Sequence, residues 1–247
     1  EGDDKMKGEL FKDVMQWEFQ TEDFDRAFKL PVFYYDNTAM TAVFSASTKK
    51  VKKYLPHPEM HPLEMIPGRC MVGFSAFEYR KTDIDPYNEF SISVLTSFGR
   101  KPLLGAATAA RGMLSRFFTA YIWHLPVTTE IARYGGVELY GYPKFLADIE
   151  FTREGRTIRC DLSENGEHIL TLEADTLPTQ RGKVTRFVSY TIKDGVPLAV
   201  NVYQNPIELG QSRRSGAARL TLDDAHHIGR AMRGLELSPT PILYQYI

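Results

Sequence analysis

The sequence predicts an α+β fold, mostly antiparallel β, whose strands close or nearly close around a cavity, with a few short helices flanking it. Three observations carry this expectation. Apolar and polar residues alternate with period two through most of the chain, the pattern of a strand with one buried face. Short Gly-containing turns separate successive alternating runs, as in hairpins. Long runs at helical spacing are scarce. Closure is expected because a meander of so many strands otherwise leaves exposed edges. The 247 residues, 43% of them hydrophobic, suffice for one large core, and no linker, repeat or low-complexity tract divides them. One domain over 1–247 is expected, with residues 1–30 as a peripheral N-terminal segment.

Taken in order, Thr38–Ala46, Met71–Tyr79 and Phe90–Phe98 each place apolar residues on one face, and their second faces are also fairly apolar. Thr48–Tyr54 reads as a short helix, with Lys49, Lys50, Lys52 and Lys53 as its wet face. Residues 101–115 stay open between a loop and a helical turn. Thr128–Tyr134 reads as a helix ended by Gly135-Gly136, where a left-handed cap would sit. Past residue 145 the alternation sharpens. Ala147–Phe151 and Thr157–Leu162 flank one Gly turn and His168–Ala174 follows; Arg186–Lys193 and Pro197–Tyr203 flank Asp194-Gly195, a strong two-residue hairpin signal. Asp223–Arg233 is the best helix, with Asp223 placed to cap and Ala225, Ile228, Ala231 and Met232 at helical spacing.

Composition narrows the function. Thirty basic residues against 31 acids give a formal charge of −1, which offers no basic footprint for nucleic acid. No apolar run reaches the roughly 18 residues of a membrane span, and the polar N-terminus lacks the apolar core of a signal peptide; a cytoplasmic protein is expected. Cys70 and Cys160 lack metal-ligand or redox spacing and read as buried free thiols. His57 and His61 have the i, i+4 spacing of a zinc pair, but Pro58 and Pro62 deny them a regular helix. His226 and His227 point about 100° apart on a helix, which suits capping or packing. Neither a metal nor a cofactor is expected. No nucleophile elbow or phosphate loop is present.

One segment stands apart. Lys144 follows Pro143 and lies between Tyr142 and Phe145, with Leu146 beyond. A lysine among apolar neighbours either snorkels to solvent or is desolvated, and the residues alone leave both readings open.

The run Gly136-Val137-Glu138-Leu139-Tyr140-Gly141-Tyr142-Pro143-Lys144 resembles the Gly-x-Glu-Leu/Ile-x-x-Tyr/Phe-Pro-Lys motif of the acetoacetate decarboxylase superfamily. The likeness extends from about Phe33 to the closing Tyr244-Gln245-Tyr246 and includes Phe117–Leu125 as a strand before the motif. It implies that Lys144 forms a Schiff base with a small keto acid, that Glu89 is the cavity glutamate acting as proton shuttle or orienting group, and that the protein is a homo-oligomer. Tyr142 would be a wall or hydrogen-bond donor of the substrate site, and Glu138 either a catalytic group or a salt-bridge partner. Two positions depart from the family pattern. Phe145 stands where a second lysine is usual, so desolvation, helped by its phenyl ring, has to favour the neutral amine. Asn37 stands where an arginine usually holds the substrate carboxylate; Arg80, Arg116 and Arg133 are the candidate replacements. Three readings follow: decarboxylation of a β-keto acid such as acetoacetate, an aldolase or dehydratase acting on a pyruvate-like acid through the same lysine, and a ligand-binding barrel without catalysis.

Overall fold

The computed structural model describes residues 11, 14–102 and 105–247. In chain order the strands and helices are β1 Trp17–Thr21, β2 Phe24–Leu30, β3 Tyr34–Ser47, α1 Thr48–Val51, β4 Met60–Pro62, β5 Glu64–Ile66, β6 Arg69–Thr82, β7 Tyr87–Phe98, α2 Gly105–Ser115, β8 Phe117–His124 and α3 Glu130–Tyr140. They continue as β9 Asp148–Glu154, β10 Thr157–Glu164, β11 Glu167–Asp175, β12 Thr185–Lys193, β13 Val196–Gln204, β14 Gly210–Ser212, β15 Ala218–Leu222, α4 His227–Arg233 and β16 Leu243–Tyr246.

A ten-stranded sheet runs β13-β12-β8-β7-β6-β3-β16-β14, with β4 added to β7 and β5 to β6. Its pairings are antiparallel except β8 with β12, which lie parallel. A four-stranded sheet, β15-β11-β10-β9, packs on one face of it, and β1 and β2 pair only with each other. The period-two pattern explains the layering. Even-numbered side chains of β3, β6 and β7 (Met40, Phe44, Phe74, Phe90, Ile92) join Ile149, Ile158, Leu162 and Leu172 of the small sheet in the main core. Odd-numbered side chains face the other way. At one end of that second face Val43 and Met71 pack with Leu63, Leu95 and Ala109 of α2. At the other end Tyr79 and Tyr87, joined by Tyr34 where β3 shifts register, pack with Phe24 and Phe28 of β2, Val127, and Ala132 of α3.

One expectation is not borne out and two are corrected. No sheet closes on itself among the described residues: the large sheet is open from β13 to β14. Its edges are dulled instead, by Pro197 in β13, which has no N–H to offer, and by a β14 of only three residues. The helix expected to stop at Gly135-Gly136 runs through both and ends at Gly141, which adopts φ 65°. The glycines are tolerated there because tertiary packing demands them: a Cβ on Gly135 would lie 3.2 Å from the Phe28 ring, and one on Gly136 would lie 2.3 Å from Lys144 Cδ. The last helix starts only at His227, and its cap is His226, whose ring accepts from Ile228 N–H, while Asp223 accepts from Ala225 N–H in the preceding turn. The ambiguous stretch contains α2, from Gly105 to Ser115. Both cysteines are free and buried. No helix among the described residues is long and apolar enough to cross a membrane.

Candidate active site

Lys144 is placed by the segment around Val127. Val127 bridges to Glu89 of β7 on one side and to Leu146 on the other, and its N–H and C=O bond Phe145 O and Ala147 N. Three stretches far apart in sequence thus lie side by side. The helix end helps: Gly141 N–H donates to Val137 O and Tyr142 N–H to Gly136 O, which turns the chain sharply into Pro143-Lys144. The lysine then lies across Gly136, where any side chain would collide with it.

Its amine meets a carboxylate. Lys144 Nζ is 2.7 Å from Glu89 Oε2, and the two side chains are only 5% and 9% exposed. Burying such a pair costs desolvation that attraction repays only with good geometry and further hydrogen bonds. Tyrosines supply those bonds. Tyr79 hydroxyl donates to Glu89 Oε1 and Tyr87 hydroxyl to Oε2, each at 3.4 Å. Tyr34 and Tyr87 hydroxyls are 3.0 Å apart. The amine also lies 5.5 Å from the centroid of the Tyr87 ring, within cation–π range. Burial, reinforced by the negative charge of Glu89, pushes the phenols of Tyr34, Tyr79 and Tyr87 well above their ordinary range. They stay protonated and therefore remain donors. Burial raises Tyr142 as well; its hydroxyl sits 2.6 Å from Ser189 Oγ on β12. A surface depression of about 390 Å³ lies against Tyr79 and Tyr87, bordered by Glu78, Arg80, Asn88 and Thr128.

The other sequence candidates lie as follows. Asn37 is half-buried and is the cross-strand partner of Tyr79, so it shares the face that carries Glu89. Phe145 turns away from its neighbour: its ring stands edge-on to His124 at 6.5 Å and packs against the main core. Desolvation of the amine therefore comes from tyrosine rings and the burying helix. Glu138 pairs with Lys193 at the surface. Arg80 is engaged by Asp36 and Glu78, Arg133 by Glu130, and Arg116 is exposed. Sequence reasoning missed Tyr34, Tyr79 and Tyr87. One signal was available: Tyr87 precedes Glu89 by two residues in an alternating strand, which puts both on one face.

The arrangement brings an amine, a carboxylate within hydrogen-bond reach of it, and neutral donors into a buried site. Comparison with known proteins places the chain by family and fold. Residues 19–232 match the family described as Acetoacetate decarboxylase (ADC). No curated protein matches the chain. Among solved structures, one described as an acetoacetate decarboxylase superposes with TM-score 0.60 at 16% identity, over 88% of this chain and 86% of the other. The acetoacetate decarboxylase of Legionella pneumophila gives 0.59 at 15%, over 88% and 82%. The enduracididine biosynthesis enzyme MppR, complexed with pyruvate, gives 0.53 at 12%, over 85% of each chain. With the family matched over most of its length, this chain belongs to the acetoacetate decarboxylase family.

Proposed function

We propose that the protein is a Schiff-base-forming lyase that acts on a small keto acid through Lys144, with decarboxylation of a β-keto acid as its reaction. The observation that carries this is the buried contact of Lys144 Nζ with Glu89 at 2.7 Å. Surface lysines need no such partner, and a fully buried structural ion pair is a weak stabiliser. A reactive amine needs both burial and a proton acceptor.

In this reading Glu89 takes a proton from the ammonium as substrate enters, and the neutral amine adds to the ketone carbon. Glu89 returns the proton to the carbinolamine oxygen, which leaves as water and yields an iminium. The bond to the carboxylate then breaks; its electron pair neutralises the iminium as an enamine, and carbon dioxide leaves. Protonation at carbon and hydrolysis release the ketone and restore Lys144. The ring of Tyr87 and the charge of Glu89 favour the cationic iminium over the neutral amine. The same charge disfavours a carboxylate nearby, which assists its loss.

The departures at Asn37 and Phe145 favour a second reading, an aldolase or dehydratase on a pyruvate-like acid, in which the enamine attacks another carbonyl. Borohydride reduction in the presence of acetoacetate or pyruvate tests the shared step, because it fixes the imine as an adduct of known mass. Peptide mapping should place it on Lys144, and it should vanish in Lys144→Ala and in Lys144→Arg, whose guanidinium stays protonated. Carbon dioxide release then selects decarboxylation. An adduct on another lysine, or turnover surviving in Lys144→Ala, would refute the proposal.

A further inference from the structure

A row of polar residues crosses five strands of the large sheet on the face that carries Glu89. Gln211 of β14 pairs with Gln245 of β16, Gln245 with Thr41 of β3, Thr41 with Ser75 of β6, and Ser75 with Ser91 of β7. Exposure falls along it: Gln211 is exposed, Gln245 and Thr41 are half-buried, Ser75 is 9% exposed and Ser91 7%. The buried end lies two residues from Glu89 on the same strand, about 7 Å along it. One row further, Gly73 pairs with Ser93, which is 9% exposed. The absence of a side chain at Gly73 leaves room for the Ser93 hydroxyl.

Small residues alone would say nothing, but their hydroxyls do. Thr41 donates to Ser75 at 2.9 Å, whereas Ser91 and Ser93 have no hydrogen-bond partner among the described residues. Neither oxygen is sealed in packing, unlike the unpartnered hydroxyl of Thr96. Strand alternation puts both on the face that carries Glu89, the partner of Lys144 Nζ. Between Met71 and Tyr79 on β6, and between Glu89 and Leu95 on β7, that face carries no charge except Glu89 itself. Its flanking regions are apolar at the α2 end and aromatic at the tyrosine end.

We infer that this row is the subsite for the substrate's tail, and that the tail is an uncharged, hydroxylated chain extending from the keto-acid head held at Lys144. The inference rests on the imine-forming reading of Lys144. Hydroxyl and carboxamide groups each donate and accept, as successive hydroxyls of a sugar-acid chain do. An apolar tail would leave Ser91 and Ser93 unpaired on binding, and such a site discriminates strongly against it. A charged tail finds no counter-charge there.

The test is borohydride trapping with three α-keto acids that share one head: pyruvate, α-ketohexanoate and α-keto-deoxygluconate. The hydroxylated acid should half-saturate adduct formation at a concentration about 10-fold below either of the others, as one or two added hydrogen bonds would give. Its preference over α-ketohexanoate, expressed as a ratio, should fall about 10-fold in Ser91→Ala, and should fall in Thr41→Val. If α-ketohexanoate or pyruvate half-saturates as low as the hydroxylated acid in the unaltered protein, or if the ratio survives both substitutions, the subsite is refuted while the imine stands. If none of the acids gives an adduct on Lys144, the imine reading itself fails and this inference falls with it.

Discussion

Gly136→Ala adds one methyl group opposite Lys144, the proposed nucleophile. The ideal Cβ would stand 2.3 Å from Lys144 Cδ and 2.5 Å from Cε. Ordinary carbon contacts are about 3.5–4 Å, so the lysine chain has to withdraw by about 1 Å or more. The helix itself has no objection: Gly136 lies within α3, and alanine gains about 1 kcal/mol over glycine there. Crowding costs about 1–3 kcal/mol, and the lysine's flexible end can yield. The net loss should stay below about 2 kcal/mol, or roughly 4–8 °C in Tm for a chain of this size. Misplacing a reacting group by about 1 Å costs about 100-fold in rate. Turnover and the rate of borohydride adduct formation should therefore fall about 100-fold while calorimetry shows a folded protein. A Gly136→Ala protein that forms the adduct at the unaltered rate would refute the claim that the lysine lies across this glycine.

Further outcomes follow from the same geometry. Glu89→Gln should lower turnover by about 100-fold or more, since a positioned proton-transfer group contributes that much, and should destabilise the fold by about 3–5 kcal/mol because a buried ammonium loses its counter-charge; steady-state rates and urea titration check both, and an unimpaired enzyme would remove Glu89 from the mechanism. Burial, with His227 and His226 nearby, lowers His124 from 6.5 to about 4. Below pH 6.5 the unfolded chain takes up that proton and the native protein does not, so stability present above 6.5 should drain away as pH falls toward 4, by at most about 3 kcal/mol. Denaturant titrations between these pH values should show the slope flattened in His124→Gln, and an unchanged slope would refute the assignment. Burial pushes the Cys70 thiol up to about 11 and raises Cys160 too; iodoacetamide should label neither in native protein and both in denaturant, and rapid native labelling would contradict their burial.

Much of the fold was legible along the chain because its signals are local. Alternation placed the cores of β3, β6, β7 and β9 to β13, and Asp194-Gly195 placed the β12–β13 turn. What misled was glycine. In isolation Gly135-Gly136 reads as a stop, and only contacts with Phe28 and Lys144, 107 and eight positions away in the sequence, explain why the helix continues through it. Sheet closure, expected from the need to remove edges, is not borne out among the described residues, since edges can be managed by a proline and by short strands as well as by pairing.

Lys144 was singled out along the chain: the run ending in Tyr142-Pro143-Lys144 resembles the family motif, while its apolar flank by itself left snorkelling and desolvation open. Its surroundings were decided elsewhere. Phe145, next in the chain, packs into the main core, while Glu89, 55 residues away, meets the amine. Tyr79 and Tyr87, from two strands, donate to that carboxylate, and Tyr34, from a third, reaches it through Tyr87. Which side chains share a sheet face depends on pairing register, and a slip of one residue would send every one of them to the opposite face. Register is set by contacts between distant segments, so the partners of the lysine became visible only once the strands were paired.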